Sequence, residues 1–241
     1  MLEDEEVNVA ERGTPQGGSI SPLLANIYLH YVLDYWIRAW RRKDRGDVIV
    51  VRYADDFIIG FQYRSQAERC LRELSERLAR FGLELHPDKT RLIEFGRFAC
   101  ENRLKRGEGK PETFQFLGFT HVSGKTRSGR FQVHRFTVAK RMRAKLKELK
   151  AELRLRLHRP IPETGAWLGK VVTGYFQYHA VPGNSGALCT FRYLVVRLWL
   201  RSLRRRSQRS RWNWKNIWDL VNNWLPNPRI LHDYPDQRLR V

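Results

Sequence analysis

The chain has 241 residues, of which 42% are hydrophobic and 12% aromatic, so it is long enough and apolar enough to bury a core. Its formal net charge is +20, and residues 96–241 hold the excess, with 31 Lys and Arg against 9 Asp and Glu. A near-neutral body joined to a strongly basic half predicts a polyanion-binding protein, with nucleic acid favoured over a membrane surface. No apolar run approaches the ~20 residues that span a bilayer, so the sequence predicts no membrane-spanning helix.

The cysteines and the first residues bear on the compartment. Cys70, Cys100 and Cys189 lie far apart and form no Cys-x-x-Cys pair, which favours reduced thiols over a disulfide framework or a zinc site. The first seven residues, MLEDEEV, are acidic and lack the apolar core of a secretory signal. We therefore expect a cytoplasmic protein.

Residues 12–21, RGTPQGGSIS, form a loop rich in glycine and serine. Ser21 can cap a following helix and Pro22 suits its first turn. Apolar residues recur behind it at helical spacing, at Leu23, Leu24, Ile27, Tyr28, Tyr31, Val32 and Tyr35. A glycine-rich loop that opens a helix can hold a phosphate or a nucleotide, although such loops are more often plain turns.

Residues 48–63, VIVVRYADDFIIGFQY, contain two apolar runs joined by adjacent aspartates. Val48–Tyr53 and Phe57–Phe61 each predict a buried strand, and so short a connection predicts an antiparallel hairpin. Asp55 and Asp56 then lie at its tip. Because neighbouring carboxylates repel one another, solvent, a basic partner or a divalent cation must offset the cost. For an isolated Asp-Asp pair, a solvated turn is the commoner explanation.

The next segment predicts further helix and strand. A capping box of Ser65 and Glu68 opens a helix whose apolar face is followed by the stop residue Gly82. Beyond it we expect a strand pair, residues 83–86 with 91–95, a mobile polar loop over residues 96–112, and a hairpin of residues 114–121 with 129–138. This mixture predicts an α+β domain over residues 1–138.

From Ala139 the sequence becomes helical and basic. Met142, Leu146, Leu149 and Leu153 form an apolar stripe, and lysines and arginines cover the rest of that helix. Further helices are predicted over residues 163–178, 187–207 and 214–224. Aromatic residues lie among the arginines, a combination that stacks on bases and binds phosphates, although a solvated basic face is the plainer alternative; they are Tyr175, Phe176, Tyr178, Trp199, Trp212, Trp214 and Trp218. The densest basic run predicts nucleic-acid contacts at Arg204, Arg205, Arg206 and Trp212.

Five motifs stand in a fixed order along the chain: RGTPQGGSISPLLANIYL, RYADDFIIG, GLELHPDKT, FQFLGF, and a basic region containing GYFQYHAVPGN and WLPNPRILHDYP. Their order resembles that of the group II intron-encoded reverse transcriptase/maturase family, and the resemblance covers nearly the whole chain. Retron-type and other bacterial reverse transcriptases share the palm motifs. The last two segments favour the intron family over them.

The resemblance implies an antiparallel palm with packed helices, incomplete at its N-terminus, over residues 1–138, and an all-helical thumb or maturase region, domain X, over residues 139–241. It implies two-metal nucleotidyl transfer with Mg²⁺ on Asp55 and Asp56. RNA template, DNA primer, dNTP and group II intron RNA are the implied partners. Further roles follow from matching motifs: Lys89 at the departing phosphates, Pro15, Gln16 and Gly17 at template and nucleotide, Tyr53 at nucleic acid, and Phe116, Leu117 and Gly118 at the primer end.

One departure from the family pattern changes the expected activity. Relatives place another catalytic aspartate on an earlier palm strand, whereas twelve residues precede Gly13 here. We therefore expect a missing fingers and palm segment as a partner, little or no polymerase activity from the chain alone, and an exposed apolar edge on the Val48–Gly60 hairpin. The alternatives are a noncatalytic RNA-binding maturase fragment and an inactive remnant.

Overall fold

The computed structural model describes residues 20–126 and 128–234, together with the backbone of residues 2–3 and 6–7. The chain divides into two compact units, residues 1–92 and 93–241. The predicted fold class, antiparallel sheets with packed helices followed by a helical region, is confirmed. The boundary near residue 138 stays a prediction from the family resemblance. In the described part of the chain, no helix is both long enough and apolar enough to cross a membrane.

In the first unit, two helical segments and a hairpin precede a long helix. Strand β1 (Leu2–Glu3) pairs antiparallel with β2 (Glu6–Val7), and helix α1 (Ser21–Leu29) continues through a π-helical turn (His30–Asp34) into α2 (Tyr35–Lys43). Strands β3 (Val48–Tyr53) and β4 (Asp56–Phe61) form the predicted antiparallel hairpin, and helix α3 spans Arg64–Arg80. Gly82, with φ +66°, follows α3 and ends it as predicted.

The core of this unit lies on one side of the hairpin. Val32 and Leu33 of the π-helical turn are at most 1% exposed and pack with Leu74 and Leu78 of α3. The apolar residues predicted to form one face of α1 do not pack into this core. No residue of α1 is buried, and Leu23 is 60% exposed. On the opposite face of β3, Ile49 is 65% exposed. Several large apolar side chains of α1 and β3 are therefore exposed, among them Leu24, Ile27 and Tyr28 of α1 and Val51 of β3.

Three local predictions in residues 64–112 are wrong. Residues 83–86 and 91–95 are joined by a turn, in which the His86 carbonyl accepts from the Thr90 amide at 2.9 Å, but they form no strands. Leu83 and Leu85 pack on the core of the first unit, and Phe95 packs on Phe114, so the two runs are held by side chains and not by a ladder. The expected mobile loop contains helix α4 (Ala99–Lys105), fixed by ion pairs of Arg106 with Glu94 and Glu108. Helix α3 is preceded by Tyr63, whose amide donates to Gln66 Oε1 at 3.3 Å, so Ser65 lies inside the helix.

After α4, the second unit continues with a three-stranded sheet where one hairpin was predicted. Strands β5 (Phe114–Phe116), β6 (Phe119–Lys125) and β7 (Phe131–Thr137) pair antiparallel in the order β5-β6-β7. The extra hairpin arises at Leu117 and Gly118, whose φ angles of +47° and +80° allow a two-residue turn. Gly118 suits that conformation, and Leu117 adopts it at a cost of about 1 kcal/mol.

Four helices complete the second unit. Helices α5 (Ala139–Leu155), α6 (Ile161–His179), α7 (Ser185–Arg204) and α8 (Ile217–Trp224) surround one apolar core centred on the fully buried Phe191 and Trp199. The stripe predicted for α5 is confirmed, since its Leu149 and Leu153 are buried and its two upstream members pack against the same core. Helix α8 approaches α6 closely, because a Cβ at Gly169 would lie 2.6 Å from the Trp224 carbonyl oxygen.

Candidate metal and nucleic-acid site

The β3–β4 hairpin ends in two exposed aspartates. Tyr53 pairs with Asp56, which leaves Ala54 and Asp55 as a two-residue turn. Ala54 has φ +54°, a left-handed conformation that costs a residue with a Cβ about 1 kcal/mol. Neither aspartate carboxylate makes a hydrogen bond or an ion pair with another described residue. Both are therefore free to bind a ligand in front of the turn.

Arg52 connects this turn to the helices beside it. Its Nε and Nη2 donate to the two carboxylate oxygens of Asp34 at 2.8 and 2.6 Å. Its Nη1 donates to Asn26 Oδ1 at 2.9 Å and to the Ala54 carbonyl oxygen at 2.8 Å. The side chains of Arg52 and Asp34 are 14% and 30% exposed. One guanidinium thus holds α1, the π-helical turn and the strained residue of the hairpin turn together.

The charges of this network stabilise each other. The hydrogen bonds from Arg52 lower the pKa of the Asp34 carboxyl, and His30 adds to that effect from one helical turn away. The same bonds raise the pKa of Arg52. Both groups are charged at neutral pH, so the contact is a charge-assisted, two-point pair of the strong kind. The sequence predicted the hairpin, but it gave no signal for this partner of Arg52.

The chemistry of the tip fits a hard cation. Mg²⁺ prefers oxygen ligands, takes one or two carboxylates from the protein, and fills its octahedral shell with water and phosphate. Asp55 and Asp56 provide such a pair. Among the described residues, no cluster of three or more His, Cys, Asp or Glu side chains is placed to bind a metal.

The other residues predicted to act in the palm are Lys89, Tyr53, Pro15, Gln16 and Gly17. Lys89 is exposed in the turn after α3, where its amide donates to the His86 carbonyl at 3.2 Å. Tyr53 is 65% exposed beside the tip. No hydrogen bond or ion pair joins Lys89 to either aspartate within the described chain. Pro15, Gln16 and Gly17 lie outside the described residues.

The predicted primer-holding residues, Phe116 to Gly118, form the β5–β6 turn of the second unit. The Leu117 carbonyl accepts a hydrogen bond from the Tyr178 hydroxyl at 2.7 Å, and the Gly118 carbonyl accepts one from the Val138 amide at 3.1 Å. A Cβ at Gly118 would lie 2.9 Å from a guanidinium nitrogen of Arg141. These contacts fix the turn against α5 and α6, and its role at a primer stays a prediction.

The predicted RNA-contacting residues of the helical region divide into two groups. Arg204 and Arg205 are exposed at the end of α7, and Arg206 is partly exposed. Trp212 is partly buried against the core, and its carbonyl accepts from Arg204 Nε at 2.8 Å. Its position favours a role in packing, so its contact with RNA stays a prediction.

Three aromatics expected to stack on bases are instead core residues. Tyr175, Phe176 and Trp199 are 8%, 3% and 0% exposed. Tyr175 stacks on Phe191, with ring centroids 3.5 Å apart. The spacing of the apolar residues in α6 and α7 indicates that these three rings are buried. The presence of aromatic residues among arginines does not, because it occurs both in a packed core and on a binding face.

A buried polar cluster in the GYFQYHAVPGN motif was also missed. Asn184 Nδ2 donates to Thr137 Oγ1 at 2.7 Å and to the His179 carbonyl at 2.8 Å, and its Oδ1 accepts from the Thr137 amide at 3.1 Å. His179 is 9% exposed, and burial, with a smaller contribution from Arg141, lowers its pKa to about 4. The motif therefore joins the end of β7 to α6 and α7.

Comparison with known proteins bears on the first half of the chain. Residues 2–121 match the family model described as reverse transcriptase (RNA-dependent DNA polymerase). No curated protein matches the chain significantly. The matched segment contains Asp55 and Asp56 at the hairpin tip and ends within β6. The match covers just under half of the chain, and over residues 2–121 the chain is therefore similar to the reverse transcriptase (RNA-dependent DNA polymerase) family.

Proposed function

We propose that the chain is part of a reverse transcriptase/maturase of the group II intron type, in which the β3–β4 tip binds Mg²⁺ and the basic helices bind intron RNA. The observation that carries the proposal is the tip itself, where two exposed carboxylates stand free in front of a turn fixed by Arg52. The segment around it matches the reverse transcriptase family. Template, primer, dNTP and the group II assignment rest on the motif resemblance.

Each residue of the tip has a distinct task in this proposal. Asp55 lies in the turn and Asp56 at the first position of β4, so these neighbouring carboxylates would hold the metal, while Arg52 donates to the Ala54 carbonyl in the same turn. A bound pair of Mg²⁺ ions supplies charge stabilisation to attacking and leaving oxygens in nucleotidyl transfer. Lys89, from the following motif, is proposed to meet the departing phosphates.

Substituting Asp55 by asparagine is expected to weaken Mn²⁺ binding at least about fivefold, because a charged oxygen ligand becomes a neutral amide. Asp56→Asn should act in the same direction. The measurement is the paramagnetic enhancement of water-proton relaxation during Mn²⁺ titration of the full chain. Asp47→Asn is the matched control, since it removes an exposed carboxylate at the opposite end of β3, and it should leave binding within about twofold. Equal affinity in the wild type and Asp55→Asn contradicts a metal site at the tip.

A noncatalytic RNA-binding maturase fragment is a second candidate, and the charge of the helices favours it. Exposed cations cover the outer face of α5, and none of them forms an ion pair with another described residue; they are Lys140, Arg141, Arg143, Lys147, Lys150 and Arg154. Residues 96–241 carry a net charge of +22, from 31 Lys and Arg and 9 Asp and Glu. Phosphates that replace counterions on such a face give strong, salt-dependent binding.

The RNA-binding proposal predicts a steep salt dependence and a preference for intron RNA. Charge reversal of Arg204, Arg205 and Arg206 to Glu should weaken binding at least about tenfold more than the same reversal of the exposed Arg41, Arg42 and Arg80, although both triple variants change the net charge equally. The measurement compares a group II intron RNA with an unrelated folded RNA across a salt titration, with helical content checked by circular dichroism. Equal affinities for the two RNAs at every salt concentration contradict the maturase assignment. A flat salt response contradicts the electrostatic argument as well.

A further inference from the structure

Three aromatic side chains of the second unit are exposed side by side. Tyr193 of α7 is 49% exposed, Trp214 in the α7–α8 connection is 37% exposed, and Trp218 of α8 is 38% exposed. The Tyr193 and Trp214 rings are parallel with centroids 5.6 Å apart, and Trp214 and Trp218 lie 6.4 Å apart with a 32° tilt. We call these three residues the aromatic platform. Rings of this size are normally buried, so a contiguous exposed set indicates a binding surface.

Contacts with Arg192 and Asn213 hold two of the platform residues in place. The Arg192 guanidinium lies 5.7 Å from the Trp218 ring centroid and is itself anchored, because its Nε donates to the Pro226 carbonyl at 3.0 Å. Asn213 Oδ1 accepts from the amides of Lys215 and Asn216 at 2.8 and 3.0 Å, which closes the turn around Trp214. A preformed surface loses little conformational entropy when a ligand binds.

Basic residues continue from the platform along α7. Arg197 and Arg201 follow Tyr193 at positions i+4 and i+8, which places them on the same helix face about 6 and 12 Å farther along the axis. Both are exposed, and neither forms an ion pair with another described residue. Residues 185–234 carry ten Lys and Arg against two Asp and Glu, so the surroundings of the platform attract a polyanion.

We propose that the aromatic platform binds unpaired bases of a single-stranded RNA segment, whose backbone runs along Arg197 and Arg201. Exposed aromatic side chains beside a row of arginines recognise bases by stacking and phosphates by charge, and a duplex hides the base faces that stack. The inference rests on the proposed RNA-binding function and gives it a location. The sequence analysis already counted Trp214 and Trp218 among the candidate stacking residues; the structure adds Tyr193 and brings the three side chains together.

The test measures, by fluorescence anisotropy, the binding of the full chain to a 12-nucleotide single-stranded RNA and to a blunt RNA duplex of equal length. Tyr193→Ala and Trp214→Ala should each weaken single-strand binding about tenfold, because a stacked base contributes roughly 1–3 kcal/mol, and should leave duplex binding within about twofold. Tyr193→Phe and Trp214→Phe keep a ring and should retain most of the affinity. Phe98→Ala, which removes a 62% exposed ring from the same unit, should change neither.

A salt titration distinguishes the contribution of charge to the RNA affinity from the contribution of stacking. Tyr193→Ala should lower affinity without changing the slope of log K against log[salt], whereas Arg201→Gln should make the slope shallower by about 0.7, the value for one single-strand phosphate contact. If Tyr193→Ala and Trp214→Ala bind the single strand as tightly as the wild type while salt-dependent RNA binding persists, the platform proposal is wrong and the proposed function stands. If the wild-type chain binds neither RNA, both are wrong.

Discussion

Substituting Arg52 by alanine is expected to destabilise the first unit by about 2–4 kcal/mol, which is a large part of the stability of a small domain. The wild-type guanidinium donates to both oxygens of Asp34, to Asn26 and to the Ala54 carbonyl. Its removal leaves a partly buried carboxylate without its cation and releases the strained turn. Arg52→Lys keeps the charge but loses the planar fork, so we expect about half of the loss.

The measurement is urea denaturation of the full chain combined with amide hydrogen exchange in β3 and β4. Arg72→Ala is the matched control, since it also removes one positive charge from the same unit, but from an exposed position of α3 that has no ion pair with another described residue. A surface substitution of this kind changes stability within about 0.5 kcal/mol. An equal effect of the two alanine variants contradicts the structural role of Arg52. A double-mutant cycle with Asp34→Ala measures the coupling directly.

The hairpin that carries the metal-binding tip could be predicted because its information is local. Alternating β-branched and aromatic residues on both sides of Asp55 leave few alternatives to a tight antiparallel turn, and the observed register pairs Val48 with Phe61. The pairing of Arg52 with Asp34 could not be predicted in this way. Asp34 lies 18 residues earlier in a π-helical turn, and no periodicity or motif indicates which carboxylate an arginine on a strand will meet.

Tertiary packing explains the predictions that failed. Residues 91–95 have strand-like composition, but the Phe95 ring packs against Phe114 at 4.9 Å and the Gly96 amide donates to Ser123 Oγ at 3.0 Å, so side chains hold this segment in place of a partner strand. Tyr175, Phe176 and Trp199 face the core, and composition alone could not separate them from the exposed aromatic residues of the same helices. The motif GYFQYHAVPGN also holds the fold through buried polar residues, His179 and Asn184, and a sequence pattern does not show which polar residues are buried.

The second unit is expected to lose about 3 kcal/mol of stability as the pH falls from 7 to 4, through His179. Burial lowers the pKa of this imidazole from 6.5 to about 4 in the folded chain. Between those values the unfolded chain binds a proton that the folded chain does not, so the free energy of unfolding decreases as the pH decreases, by about 1.4 kcal/mol per pH unit. Arg141 opposes protonation in the same direction, and burial lowers the pKa of His121 as well.

His179→Phe isolates this contribution, because the variant keeps a ring beside Tyr175 and cannot titrate. It also removes the 3.3 Å hydrogen bond between Thr137 Oγ1 and His179 Nδ1, which lowers stability at every pH, so the comparison uses the pH dependence and not the absolute stability. The free energy of unfolding, measured by urea denaturation at several pH values between 4 and 7, should vary less in the variant by about 3 kcal/mol, while the contribution of His121 remains in both proteins. His158→Phe, at an exposed position between α5 and α6, should leave the wild-type pH dependence unchanged. Parallel curves for the wild type and His179→Phe would show that His179 is not held neutral, and the buried cluster with Thr137 and Asn184 would then have to accommodate its charge.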